Sequence, residues 1–188
     1  MILEEEEEEI QENLIEYFRE EDKDNEFMNT INTYLQSTFG AFESSETLRK
    51  LFEEQPPGNS GRRADLNMVE QQSRNYMERL INCLEMLRLM CENHYSDLQN
   101  FLRSQMVGDV VRYNSVNMIT SVSEILEKYS VLMDEKNASL GEKIFEFYIE
   151  MLQGPCLPNQ QEVCSSKLME TVEDLLIWLI ETDEERES

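Results

Sequence analysis

Basic side chains are scarce in this sequence, with 16 Lys and Arg against 40 Asp and Glu and a net charge of -24. Such a field repels phosphate backbones and anionic lipid surfaces, which argues against nucleic acid and direct membrane insertion. Histidine occurs once, at His94, and there is no Gly-rich phosphate loop, nucleophile elbow or His-Glu-x-x-His helix. An enzyme is therefore not expected. No apolar run approaches the roughly 18 residues that a membrane-spanning helix needs. The N-terminus opens on the acidic run Glu4 to Glu9, the opposite of a basic signal-peptide start. Cys83, Cys91, Cys156 and Cys164 form two close pairs with seven residues between members. Structural zinc sites usually space ligands by about two to four residues, and Cys83 and Cys91 fall in a helical, apolar stretch, so reduced core thiols of a cytosolic protein are the simpler reading. Nothing alternates with period two over a useful length, which argues against a sheet.

What is present is helical periodicity. Hydrophobic residues make up 40% and charged residues 30% of the 188, close to globular usage and enough for one real core. Phe27, Ile31, Tyr34 and Leu35 mark a first packed helix. Leu48, Leu51 and Phe52 predict a shorter second one capped by Ser44 or Ser45. Met77, Leu80, Leu84, Leu87 and Cys91 keep one face of a long helix apolar, with Asp65 as its cap. Val116, Ile119, Val122, Leu126 and Tyr129 predict another. Ser139-Leu140-Gly141-Glu142 has the capping-box form and opens a helix with Leu140, Ile144, Phe147, Tyr148 and Met151 inward. Asn159 and Glu162 repeat that logic before a last helix carrying Leu168, Val172, Leu175, Leu176 and Leu179, with Trp178 at its edge. The expectation is an all-α protein, a helical bundle or short α-solenoid of about six helices with no sheet.

Breakers and charge divide the chain. Residues 1–25 read as an acidic, partly disordered tail, 26–54 as an N-terminal helical extension, and 55–65 as a linker rich in Pro and Gly. Residues 66–182 form the main helical domain, and 183–188 an acidic C-terminal tail. Asp22 to Glu26 superficially suggests a calcium loop. Its sixth position is Phe27 where a glycine must turn and its twelfth is Thr33 where a glutamate is needed, so an EF-hand is rejected.

Two separated stretches carry a resemblance. Leu89-Met90-Cys91-Glu92-Asn93-His94, followed by Asp97-Leu98-Gln99-Asn100-Phe101-Leu102-Arg103, is similar to a signature of the RIH-associated domain shared by inositol trisphosphate and ryanodine receptors. Glu150-Met151-Leu152-Gln153-Gly154-Pro155-Cys156 with Asn159-Gln160 is similar to that domain's second block, with Met151 in place of the usual Tyr. Asn114 to Ile119 also resembles the family. Asp134-Glu135-Lys136-Asn137 is closer to the inositol trisphosphate receptor branch. The likeness spans roughly residues 77 to 180.

The resemblance implies a cytoplasmic α-solenoid segment of a tetrameric calcium-release channel at the endoplasmic reticulum, relaying ligand binding to the pore. It implies a calcium site shared with a pore-forming or C-terminal channel domain. Glu92 and Glu150 would contact calcium directly, with His94 and Gln153 in the surrounding shell. Both glutamates fall at predicted helix ends, whose carbonyl dipoles favour a cation. Two carboxylates alone imply an isolated affinity on the order of 10⁻⁴ to 10⁻³ M. The alternative is a free-standing acidic helical scaffold that binds a basic partner and gates nothing.

Overall fold

The computed structural model describes residues 2–54 and 60–187, and side chains for all of these except 2–7, 60–62, 178 and 181–187. Eight α-helices account for most of them: α1 (Ile2–Glu20), α2 (Glu26–Glu53), α3 (Ser60–Met90), α4 (Ser96–Arg103), α5 (Met118–Ser130), α6 (Ala138–Leu152), α7 (Leu157–Ser165) and α8 (Leu168–Glu187). The all-α class stands; the count of about six does not, and a small sheet is present.

That sheet is a hairpin of two-residue strands, β1 (Met106–Val107) and β2 (Val110–Val111), pairing Met106 with Val111 and Val107 with Val110. Gly108 turns it at φ +59, a left-handed conformation that costs glycine little. Strands this short leave no alternation to read, so nothing beyond the glycine marks them in the sequence.

The short helix expected after Ser44 or Ser45 merges into α2. Ser44 donates to the Gly40 carbonyl and Ser45 to those of Ala41 and Phe42. These back-bonds let a hydroxyl stay inside a helix instead of starting one. The buried stripe of α2 is Met28, Leu35, Phe39, Phe42, Glu46 and Arg49, while Leu48 and Leu51 are half exposed. α3 begins at Ser60, so Asp65 lies inside it rather than capping it, and only 55–59 of the expected linker fall outside the described residues.

α2 and α3 pack against each other along their lengths. α6 lies on α3, α5 against α2 and α6, and α8 against α5. Leu80, Leu84 and Leu87 of α3 meet Ile144, Phe147 and Met151 of α6 in one continuous core that also takes in Ile119, Val122, Leu126 and Tyr129 of α5. The sequence placed all these positions inward. The acidic segment 1–25 is helical from Ile2 to Glu20, and Phe18 buries its ring in a stack on Phe101 of α4, 4.8 Å between centroids and 6° from parallel. Arg112 fixes the end of α1, donating to the carbonyls of Phe18 at 3.0 Å and of Asp22. Asp22 in turn caps α2, accepting from the amides of Glu26 at 2.7 Å and Phe27 at 3.2 Å.

Two further expected caps have other work. α6 starts at Ala138 rather than Ser139, and Asn137 before it is buried, donating to Glu46 and to the Leu132 carbonyl. α7 starts at Leu157 with Pro158 in its first turn, and Asn159 is fully buried, donating to the carbonyls of Gln99 and Met151. In α8, Leu168 and Leu175 are buried, while Leu176 and Leu179 remain about half exposed. The last helix thus buries a narrower face than its composition predicts. Helix continues through Glu187, across most of the expected C-terminal tail. The expected edge position of Trp178 lies outside the described side chains.

A buried ion network ties α2 and α3 to the turn before α6. Arg49 donates to Glu46 at 2.6 Å, to Glu53 at 2.9 Å and to Asp134. Ser73 and Asn137 complete the Glu46 carboxylate. Burial alone would raise the Glu46 pKa, but the hydrogen bonds from Arg49, Ser73 and Asn137 outweigh it and hold it below the usual value.

Candidate functional site

α3 and α6 run side by side and stop close together, which brings two helix C-termini to one place. Each end leaves carbonyls without intrahelical donors, and in both cases a buried glutamine supplies one. Gln11 of α1 donates to the carbonyls of Met90 at 3.2 Å and Glu92 at 2.9 Å. Gln99 of α4 donates to those of Glu150 at 2.6 Å and Gln153 at 3.0 Å. The Oε1 atom of Gln99 is buried without a partner among the described residues.

After α3 the chain reverses in a single 3-10 turn, with Asn93 at φ 58 and His94 at φ 60. Left-handed backbone at non-glycine residues costs about 1–3 kcal/mol each and persists where packing dictates it. Gly154, at φ +73 after α6, lies so close that a Cβ there would sit 3.1 Å from the His94 Cβ. Any side chain at 154 would push the two turns apart.

The side chains of Glu92 and Glu150 converge on one cation. Arg88 Nη1 lies 3.7 Å from Glu92 Oε1 and 3.8 Å from Glu150 Oε1. The same guanidinium makes a paired contact with Glu85, both bonds at 2.9 Å. Glu85 also accepts from Lys143 at 2.9 Å. Hydrogen bonds from Arg88 and Lys143 hold the Glu85 carboxyl down at about 2. Arg88 itself is pushed above its ordinary range by Glu85, with Glu92 and Glu150 adding to it. The Glu150 side chain is 17% exposed and that of Glu92 37%, so the pocket is open on the Glu92 side.

Of the four residues singled out from the sequence, Glu92 and Glu150 are brought together. Gln153 joins through its backbone, and His94, an exposed residue overall, packs its Cβ and the near edge of its ring beside Gly154. Met151 is fully buried with its Sδ 3.6 Å from the Cys91 Sγ. It therefore fills the space beside Glu150 with a soft, adaptable side chain. Burial raises the Cys91 thiol, and the nearby Glu150 charge raises it further; a neutral thiol is what this core needs.

Sequence reasoning missed Arg88, Gln11 and Gln99. Arg88 precedes Glu92 by one helical turn, the spacing of an intrahelical ion pair, and that was its available signal. Gln11 acts across 81 residues, for which a lone glutamine gives no local sign, and Gln99 across 51, marked only by its place in the first family-like block.

As a metal site the donor set is partial. Calcium takes about six to eight oxygens, and among the described residues no group of three or more His, Cys, Asp or Glu is placed to hold a metal ion. Glu92 and Glu150 supply two carboxylates, with the Arg88 guanidinium between them and the nearby Met90, Glu92, Glu150 and Gln153 carbonyls engaged by Gln11 and Gln99.

Residues 71–176, more than half of the chain, match the family model described as RyR and IP3R homology associated, and the chain belongs to that family. The matched span contains Arg88, Glu92, Gln99 and Glu150. It leaves α1 and α2 outside, although both pack into the same core. The family's domain lies in cytosolic regions of ryanodine- and inositol trisphosphate-receptor channels, and among the described residues no helix is long and apolar enough to cross a membrane.

Proposed function

We propose that this chain is a cytosolic regulatory segment of a calcium-release channel, nearer the inositol trisphosphate receptor branch, and contributes Glu92 and Glu150 to a calcium-sensing site coupled to gating. The observation that carries this reading is the convergence of the two carboxylates on Arg88 at 3.7 and 3.8 Å. Side chains far apart in sequence meet at two helix ends whose dipoles favour a cation. Without calcium, the Arg88 guanidinium supplies the positive charge. For calcium to bind, Arg88 would have to release Glu92 and Glu150 while keeping its paired contact with Glu85, and Glu92 and Glu150 would then be the carboxylates this chain offers the ion. Oxygens from a pore-proximal channel domain complete the shell, so that calcium strengthens docking of this unit against the gate of a tetrameric channel at the endoplasmic reticulum. His94 and Gln153 shape the surrounding turns.

The test is association with the C-terminal, pore-proximal domain of such a channel, followed by biolayer interferometry with and without saturating calcium. Calcium is expected to tighten the complex, and the double variant Glu92→Gln, Glu150→Gln to lose that gain. Association that is absent, or indifferent to calcium, would sink the proposal. A second reading, an acidic scaffold without gating, draws on the same Arg88: a site already neutralised by an internal cation needs no metal. Under that reading calcium never alters partner binding.

A further inference from the structure

An apolar groove of about 460 Å³ runs between α1 and the C-terminal half of α3. Ile10 and Leu14 form one wall, and Met86, Leu89 and Met90 the other. Ile10 is 59% and Leu89 46% exposed, so the two walls present large aliphatic side chains to solvent on facing helices. The walls are fixed in register, because Gln11 on α1 holds the carbonyls that end α3. Glu85 and Glu92 also line the groove, and no basic residue does. Arg88 is turned to the three carboxylates described above, and the outer side of α1 adds exposed Glu8, Glu9, Glu12 and Glu16.

A channel with an apolar floor between two helices is the shape that receives a third helix through anchors spaced by three and four residues. Methionines on one wall let the floor adapt to different anchor shapes. Charge selects the occupant. The chain carries a net -24, so a second copy brings acid against acid. A further run of exposed aliphatics, Met169, Leu176 and Ile180 on α8, is accompanied by exposed Glu170, Glu173 and Asp174 and is repelled from an acidic rim. A helix with Lys or Arg flanking its apolar stripe gains both burial and attraction.

From this we infer that the α1–α3 groove is a docking site for a basic amphipathic helix of a partner protein. The inference stands independently of calcium. It adds a binding role for α1, which lies outside the family match.

A fluorescent peptide of about 18 residues, five turns of helix, with Leu at the anchor positions and Lys between them, is titrated with the full chain and followed by anisotropy. The variants are Leu89→Glu and Ile10→Glu, one per wall, each at an exposed position, with Leu176→Glu on α8 as control and circular dichroism to verify folding. The sign of the effect is diagnostic. Diffuse attraction between a basic peptide and an acidic protein grows when a glutamate is added. Loss of an apolar anchor contact in the groove instead weakens binding roughly ten- to hundredfold. Weakening by both groove variants, no change in the α8 control, and no binding of a peptide with Glu in place of Lys are the expected results. Unchanged or tighter binding to Leu89→Glu, equal loss in Leu176→Glu, or equal binding of the acidic peptide would overturn the assignment. So would a dimer in sedimentation equilibrium that Leu89→Glu dissociates, since a second copy would then be the occupant.

Discussion

Replacing Arg88 with methionine should convert a weak calcium site into a stronger one. The guanidinium lies 3.7 Å from the Glu92 carboxylate and 3.8 Å from that of Glu150. At an effective dielectric of 20, each contact carries about 4 kcal/mol of Coulomb attraction before solvent is considered. Glu92 is 37% exposed, and pairs near the surface retain only about 0.2–1 kcal/mol each after desolvation and side-chain ordering. Together the two contacts therefore oppose an entering cation by about 0.4–2 kcal/mol, a factor of roughly 2 to 30 in affinity. Methionine keeps an unbranched stem of similar reach against the same neighbours and removes the charge. Isothermal titration of wild type, Arg88→Met and Arg88→Lys with calcium checks the step. Wild type and Arg88→Lys should bind in the range of about 10⁻⁴ to 10⁻³ M expected of a low-charge site, and Arg88→Met several-fold more tightly. If Arg88→Met binds calcium no better than wild type, the guanidinium is not a tethered competitor and the reasoning fails.

Other consequences follow from the same contacts. Arg49→Leu leaves the Glu46 carboxylate, 3% exposed, without its cation, and urea unfolding should register a loss of about 3–5 kcal/mol. The double change with Glu46→Leu should recover most of it. Gln99→Leu strips the donor from the Glu150 and Gln153 carbonyls and should cost about 1–3 kcal/mol in the same assay. Glu85 has a folded pKa of about 2 against an ordinary 4.5, so its stabilising contribution is present above the ordinary value and fades as pH falls toward the folded one. Glu85→Gln should accordingly show a shallower loss of urea midpoint than wild type across that acidic window.

The sequence exposed repeating apolar faces and hid isolated polar contacts. Leu140, Ile144, Phe147, Tyr148 and Met151 were all placed inward correctly, because a helix that buries one side must repeat at three and four residues. Ser44, Ser45 and Asn159 misled for one shared reason. A short polar side chain that can cap a helix can equally bond a carbonyl within it or across the core, and only tertiary packing chooses. α8 misled differently, since an apolar run does not say how much of it finds cover. At the site, Glu92 and Glu150 were legible through the two blocks that resemble the family. Arg88, which decides whether those carboxylates are free, was not, because an arginine four residues before a glutamate on a helix is ordinary surface chemistry. The acidic N-terminus looked like a tail because its charge outweighs Ile15 and Phe18, yet those side chains are buried in the core, and the hydrogen bonds of Gln11 and Arg112 help seat α1 there.

The most direct test follows backbone amide resonances of the intact chain during a calcium titration. Resonances of residues 91–94 and 150–153 are predicted to shift together along one binding curve, and Glu92→Gln to abolish both responses. Shifts confined to one of the two turns, or spread over the acidic surface of α1 and untouched by Glu92→Gln, would contradict a site shared between these helix ends.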